Sequence, residues 1–272
     1  MAEYSQVSVL KAGVRAIRKA VFRRRLRMLL DFSLSVGNFG KKADCYSTNI
    51  DKEAISRKYV FDVLPTQNSG RSLRFLDVGG RDGNLSYLLG HRAPLDYDKK
   101  FYAANQARFN QLYEYFAVDL IPAGDHVLTG DICDRDFLNR YSDFRGKFDI
   151  IYSNNVFEHL EKPWIAAEVL YDLLVPGGIC ITIVPFSQRY HESPGDFFRY
   201  THTAIGKLFE AAGPIEILES GYDIRARRFN WQGIGSAKDI VPVDKFGAWR
   251  ETWFTVTVLK KLENKAGRIG PI

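Results

Sequence analysis

From Leu73 to Leu259 the chain repeats one unit: a short apolar run, a turn rich in glycine, proline or aspartate, then a stretch with apolar residues at helical spacing. Apolar runs at Leu73–Val78, Tyr115–Leu120, Val127–Ile132, Phe148–Ser153, Ile179–Val184, Ile215–Ser220 and Trp253–Leu259 predict seven strands. Helical spacing predicts helices over Asp51–Leu64, stopped by Pro65, and from Asn84 to Leu89. Further helices are predicted around Ala103–Leu112, over Asp134–Tyr141, over Pro163–Leu174 with proline at its start, and over Thr203–Ala212 before Gly213. Pro176-Gly177-Gly178 is expected to separate the 163–174 helix from the strand that follows. Strand and helix alternating in this way predict an α/β fold, a doubly wound and mostly parallel sheet with helices on both faces. In such a sheet ligands sit beyond the carboxyl ends of the strands, so functional residues are expected just after each apolar run.

Ahead of this rhythm, Leu10, Val14, Ile17, Val21 and Met28 recur at helical spacing over residues 7–30, and basic residues fill the remaining surface. Residues 1–40 carry eight lysines and arginines against Glu3 and Asp31, which accounts for the whole net charge of +6 and leaves the rest of the chain formally neutral. Residues 1–50 therefore read as a basic amphipathic arm and linker, and 51–272 as one catalytic-sized domain. The arm suits an anionic membrane surface or an acidic partner, or packs its apolar stripe on the domain or on a second subunit. A neutral body argues against a nucleic-acid substrate, which calls for a basic working face. Cys45, Cys133 and Cys180 show neither a disulfide framework nor zinc spacing. No run is long enough for a signal peptide or a membrane span, so a cytoplasmic setting is expected.

The strand ends carry the chemistry. After the first strand stands Asp77-Val78-Gly79-Gly80-Arg81-Asp82-Gly83, a turn whose glycines let the backbone approach a ligand closely. After the second stand Asp119 and Leu120; a carboxylate there can accept hydrogen bonds from both hydroxyls of a ribose. After the third, Asp131 and Ile132 offer a polar and an apolar group suited to the edge and face of an adenine. After the fourth comes Asn154-Asn155-Val156-Phe157-Glu158-His159-Leu160, and after the fifth Pro185-Phe186 and a polar, aromatic segment to Thr203. Taken singly, each has a plain reading as a tight turn, an exposed turn aspartate or a helix cap; their occurrence at five successive strand ends does not.

On these residues the stretch from about Leu73 to Phe186 resembles the class I S-adenosylmethionine (SAM)-dependent methyltransferases. The likeness is to the small-substrate group with a Val-Phe-Glu-His-Leu segment after the fourth strand and a Leu-Leu-Val-Pro-Gly-Gly run, here 173–178, before the fifth. Asp77, Gly79 and Gly83 match the opening motif, while Arg81 stands in place of its middle glycine. The 42 residues from Asp77 to Asp119 disfavour a nicotinamide dehydrogenase, whose acidic residue follows about 20 residues on. The resemblance implies SAM as cofactor. Gly79, Gly80 and Gly83 would shape the turn against its amino-acid part, and Asp77 would orient that turn or the ammonium. Asp119 and Leu120 would lie at the ribose, Asp131 and Ile132 would frame the adenine, and Asn154 would line the methionine portion.

Methyl transfer to a hydroxyl needs alignment and a base. Of the five histidines, His159, His191 and His202 follow the fourth or fifth strand. The segment Tyr190–Thr201 resembles one found in methyltransferases of bacterial surface-polysaccharide clusters. His191 is the expected base, His159 the second candidate, and Asp196 an orienter or alternative base. In the plain reading His159 caps a helix or lines the cofactor pocket, and Arg199 only pairs with Asp196. Asp131, Asp196 and Glu158 have oxygens for a divalent metal, but no tight spacing supports one and none is expected. Residues 185–203 and 225–250 are read as insertions on the acceptor side. The expected partners are a small-molecule or glycan acceptor, no nucleic acid, a peripheral membrane contact through the arm, and a second copy of the chain. The leading reading is O-methylation of a sugar or glycan; a small metabolite or natural product as acceptor, or a non-catalytic SAM-fold binding subunit, stand beside it.

Overall fold

The computed structural model describes residues 50–68, 70–80, 84–90, 98–188, 190–191, 194–223 and 253–263. The amphipathic arm over 7–30, the excursion over 225–250, Arg81 and Gly83 lie outside them.

The described residues form one seven-stranded sheet, as the strand pattern predicts, and its order is β3-β2-β1-β4-β5-β7-β6. The strands are β1 (Leu73–Val78), β2 (Tyr113–Asp119), β3 (Val127–Thr129), β4 (Phe148–Asn154), β5 (Leu174–Ser187), β6 (Ile215–Asp223) and β7 (Trp253–Lys261). β1 through β5 pair in parallel, and β7 inserts antiparallel between β5 and β6. β1 pairs with β2 on one side and β4 on the other. The chain thus winds outward from β1 to β3, then returns to start again at β4. In such a sheet the ligand crevice is expected where the winding reverses, at the carboxyl ends of β1 and β4.

Helices lie on both faces, which is why β4 is buried along its whole length. One core layer includes Leu76, Val118, Ile151 and Phe148 packed with Leu170 and Leu173 of the helix Pro163–Leu173 and Phe209 of the helix Ala204–Ala212. The other includes Phe75, Ile150, Tyr152 and Ile181 with Tyr59, Val60, Phe61 and Phe109. Phe75 meets Phe109 edge-on at 5.0 Å between ring centroids, inside the preferred range for aromatic pairs. Phe109 belongs to a helix over Lys99–Leu112 that starts earlier than predicted. Asp98 caps it, accepting from the Lys100 and Phe101 amides at 2.9 and 3.1 Å.

Three local expectations are corrected. The first helix does not stop at Pro65: an α-helix at Lys52–Arg57 widens into a π-helical turn at Lys58–Val63 and continues as Leu64–Gln67 through the proline. The wide turn places the amide of Leu64 on the carbonyl of Tyr59, five residues back, and relaxes the clash a proline ring otherwise makes with the preceding turn. Pro176-Gly177-Gly178 does not lie outside the strand. β5 starts at Leu174, paired with Phe148, and slips register before Ile179 pairs with Ile150, so these residues form an irregularity within β5. The predicted third strand shortens to Val127–Thr129 and the helix over 134–141 to Phe137–Arg140, because Gly130 turns the chain at φ +150° and Asp131 caps the bend that follows.

Candidate functional site

The crevice is built by adjacent strand ends. Val78 pairs with Val118 on one side and Ser153 on the other, Asp119 with Thr129, and Asn154 with Ile183. Main-chain bonds extend the row past the strands: Gly79 N to Val118 O at 2.8 Å, Gly130 N to Asp119 O at 2.9 Å, and Asn155 N to Ile183 O at 2.9 Å. Gly79, Asp119, Gly130-Asp131 and Asn154 therefore stand side by side along one rim. Gly79 turns at φ +70°, a conformation that favours glycine. Gly80 is needed for a different reason: a Cβ there would come within 2.5 Å of the Asp77 carboxyl carbon.

Asp77 is fully buried under this turn. Its Oδ2 accepts from Leu85 N at 3.1 Å and from the Tyr115 hydroxyl at 3.3 Å, so it braces the helix Asn84–Leu89 against β1. Its Oδ1 has no partner among the described residues. Burial pushes the carboxyl up to about 8, and the bonds from Tyr115 and Leu85 only partly oppose this. Ser153 Oγ, Asn154 Oδ1 and Asn155 Oδ1, buried at the end of β4, also lack partners among the described residues. Asn155 has φ +57°, so the chain leaves β4 through a left-handed residue. A fold rarely leaves so many buried oxygens unsatisfied without a ligand to meet them.

Asp119 is half-buried, and its Oδ1 accepts from Ile121 N at 3.1 Å. Beside it Leu120 and Ile121 are 60% and 51% exposed, an apolar step on the rim. Asp131 is exposed and accepts from Cys133 N at 2.8 Å, while Ile132 is buried in the core beneath.

A second cluster lies beyond the ends of β4 and β5. The chain passes from Asn155 into a single turn, Phe157–His159, which buries the Glu158 side chain completely. The segment 194–200 docks on this turn: Phe197 N and Phe198 N donate to Glu158 O at 2.7 and 3.3 Å, Tyr200 N to Pro185 O at 3.1 Å, and the Tyr200 hydroxyl to Phe157 O at 2.9 Å. Docking brings His191 against His159, their rings edge to face at 5.0 Å. Asp196 accepts from His191 N at 2.8 Å, and its Oδ2 lies 3.3 Å from His191 Nδ1, favouring the proton on that nitrogen. Arg199 grips the same carboxylate with both terminal nitrogens. Burial alone would raise Asp196, but the bonds from Arg199 and His191 N outweigh it and hold the carboxyl below its ordinary value. His159 Nδ1 bonds to Gly195 O; a carbonyl only accepts, so Nδ1 carries the proton and Nε2 the lone pair. Burial lowers His159, and burial raises Glu158 to about 7. Neither oxygen of Glu158 has a hydrogen-bond partner among the described residues.

The structure thus sorts the expected site residues into two groups. Asp77, Gly79, Gly80, Asp119, Leu120, Asp131 and Asn154 share the rim, with Ile132 packed under it; His159, His191 and Asp196 share the second cluster. Sequence reasoning gave no role to Ser153, Asn155 or Tyr115, and did not see how Glu158 comes near His191. The positions after β4 were a signal for the first two; Tyr115 and the Glu158 cluster carried none, since strand pairing and loop docking create them.

A methyltransferase-domain family model matches residues 48–213, more than half of the chain. A comparison with curated proteins gives no significant match. Among solved structures, the chain is similar to 1,6-didemethyltoxoflavin-N1-methyltransferase of Burkholderia thailandensis, solved with 1,6-didemethyltoxoflavin and S-adenosylhomocysteine. Identity is 16%, coverage 76% of this chain and 79% of that one, and the TM-score 0.44. It is also similar to an arsenic(III) S-adenosylmethionine methyltransferase of Chlamydomonas reinhardtii, at 13% identity over 79% of this chain and 74% of that one, with a TM-score of 0.41.

Proposed function

The chain belongs to the methyltransferase-domain family, of the class I SAM-dependent type, and on that premise we propose that it methylates a hydroxyl of a sugar or glycan with His191 as general base. The observation that carries the base assignment is the pairing of His191 with a buried carboxylate, Asp196, on a segment docked beside the rim.

The rim fits the cofactor by the chemistry of its unsatisfied atoms. Asn154 Oδ1 and Asn155 Oδ1 can only accept hydrogen bonds, Asp77 Oδ1 does so once its proton is released, and an ammonium and ribose hydroxyls supply donors. The missing Cβ of Gly80 keeps the turn tight over Asp77. Gly79 and Gly80, and Gly83 beyond the described residues, would shape the turn, Asp119 would hold the ribose, and Asp131 would meet the adenine edge. When bound, SAM supplies a methyl group already activated on a sulfonium. The chain's own tasks are alignment, exclusion of water and removal of one proton. Asp196 holds the His191 tautomer whose Nε2 carries the lone pair and stabilises the imidazolium once the hydroxyl proton arrives. Arg199 fixes Asp196 in turn.

No helix among the described residues is long and apolar enough to cross a membrane. As part of the same proposal, the basic arm over 7–30 touches an anionic membrane surface where a lipid-linked acceptor resides. The test is transfer of a labelled methyl group from SAM to a panel of lipid-linked glycans, nucleotide sugars and small alcohols. Turnover confined to the sugar acceptors supports the reading. Turnover confined to small metabolites replaces it, and SAM binding without any turnover leaves a binding subunit.

A further inference from the structure

The second cluster holds a donor set that proton transfer alone does not use. One ligand-capable atom from each of Glu158, His159 and His191 lies within 4.8 Å of the others. An independent observation points into the gap between them. Glu158 is a completely buried carboxylate with two unpartnered oxygens, and its Oε1 stands 3.7 Å from His159 Nε2, the nitrogen bearing the lone pair. When Glu158 is ionised, two groups that both offer electron pairs face each other, with no donor between them among the described residues. A cation between them satisfies both.

The surrounding groups match a metal site as well. The Nδ1 of His159 is backed by a carbonyl oxygen and the Nδ1 of His191 by a carboxylate, the outer contacts that orient metal-ligating imidazoles. Ligand atoms about 2.0–2.2 Å from one ion lie within about 4.4 Å of each other, so a small rotation of His191, whose side chain is 28% exposed, closes the set. Two imidazoles with one carboxylate select first-row transition ions over magnesium or calcium, which take oxygen donors.

We propose that Glu158, His159 and His191 bind a divalent transition-metal ion of the zinc and cobalt class, and that this ion competes with the acceptor's proton for the His191 imidazole. The competition rests on the base role proposed for His191; the binding does not.

The test uses the full chain, stripped with a chelator and titrated with Co²⁺ in the absence of SAM and acceptor, followed by the visible absorption of the ion, then by displacement with Zn²⁺. Saturable one-to-one binding is expected. Glu158→Gln, His159→Ala and His191→Ala should each weaken it by about tenfold or more, and Asp196→Asn, which removes only an outer contact, by roughly 10–100-fold. Thermal unfolding of each variant separates lost ligands from lost fold, and Zn²⁺ should raise the melting temperature of the unaltered chain more than that of any folded variant. Absence of saturable binding, or folded variants that bind as the unaltered chain does, overturns the site. Equal affinity for Mg²⁺ overturns the choice of ion. In a separate methyl-transfer assay, Zn²⁺ should inhibit and the chelator restore activity; activation by Zn²⁺ overturns the competition and leaves the site standing.

Discussion

β1 and β4 begin and end in contrasting surroundings. At their amino ends Asp149 is almost fully buried, yet Arg71 meets it with both terminal nitrogens and Arg74 N donates to it at 2.8 Å. At their carboxyl ends Asp77 and Glu158 are just as buried, and between them three carboxylate oxygens go unmet among the described residues. The same kind of group is thus neutralised at one edge and left wanting at the other. The satisfied edge belongs to stability, because breaking a buried ion pair strands a charge. The wanting edge is held in place by the rest of the fold, and on the function proposed above it is the edge that meets ligands.

Substitutions at the two edges should therefore separate function from stability. The largest effect is expected at the docked segment: His191→Ala should lower turnover by about 10²–10⁴-fold with SAM affinity intact, measured by steady-state kinetics beside calorimetric titration. Full activity would remove His191 from the chemistry. At the opposite edge Arg71→Leu should cost about 2–3 kcal/mol in urea unfolding, at the low end for a buried pair because the Arg71 side chain is 53% exposed. Its SAM affinity under folding conditions should not change; if it does, the two edges are not independent. Asp119→Ala should weaken SAM by about 10–100-fold, the worth of hydrogen bonds to a charged group, with little change in unfolding because only the Ile121 amide loses its acceptor. Unchanged affinity would reduce Asp119 to a turn former.

A further effect is a slope with pH. Asp77 and Glu158 are raised to about 8 and about 7 in the folded chain, against about 3.9 and 4.3 when unfolded. Between these limits the folded state holds protons that the unfolded state releases, so the ligand-free protein should lose stability as pH rises from about 4 to 8. Asp77→Asn should flatten the upper part of that fall, seen by unfolding at a series of pH values. A stability that climbs with pH over this range would contradict the contrast between the edges.

The alternation of apolar runs made the sheet legible before any coordinate, because strands buried on both faces must be apolar throughout. The rim was legible for the same reason: Asp77, Asp119, Asp131 and Asn154 stand where apolar runs give way to polar residues. What the sequence hid depends on distance along the chain. Arg71 and Asp149 are 78 residues apart, His159 and Gly195 are 36 apart, and no local pattern links them. The π-helical turn ahead of Pro65 and the slip within β5 were hidden differently, since each is a compromise between local preference and the register of a neighbouring element. That Glu158 goes unsatisfied among the described residues is a property of its whole surroundings, which residue type alone cannot express.

The segment 194–200 hangs largely by its main chain: the amides of Phe197, Phe198 and Tyr200 reach carbonyls of Glu158 and Pro185, and Thr255 returns a bond to the Tyr200 carbonyl at 2.7 Å. Such anchoring, helped by the buried Tyr200 hydroxyl on Phe157 O, does not depend on the side chains the segment turns to solvent. Phe197, exposed to solvent, can be exchanged without loosening the attachment. The fold has, in effect, a replaceable faceplate over a permanent socket, and on the function proposed above its outward side chains are where acceptor preference could be retailored while the sheet below stays as it is.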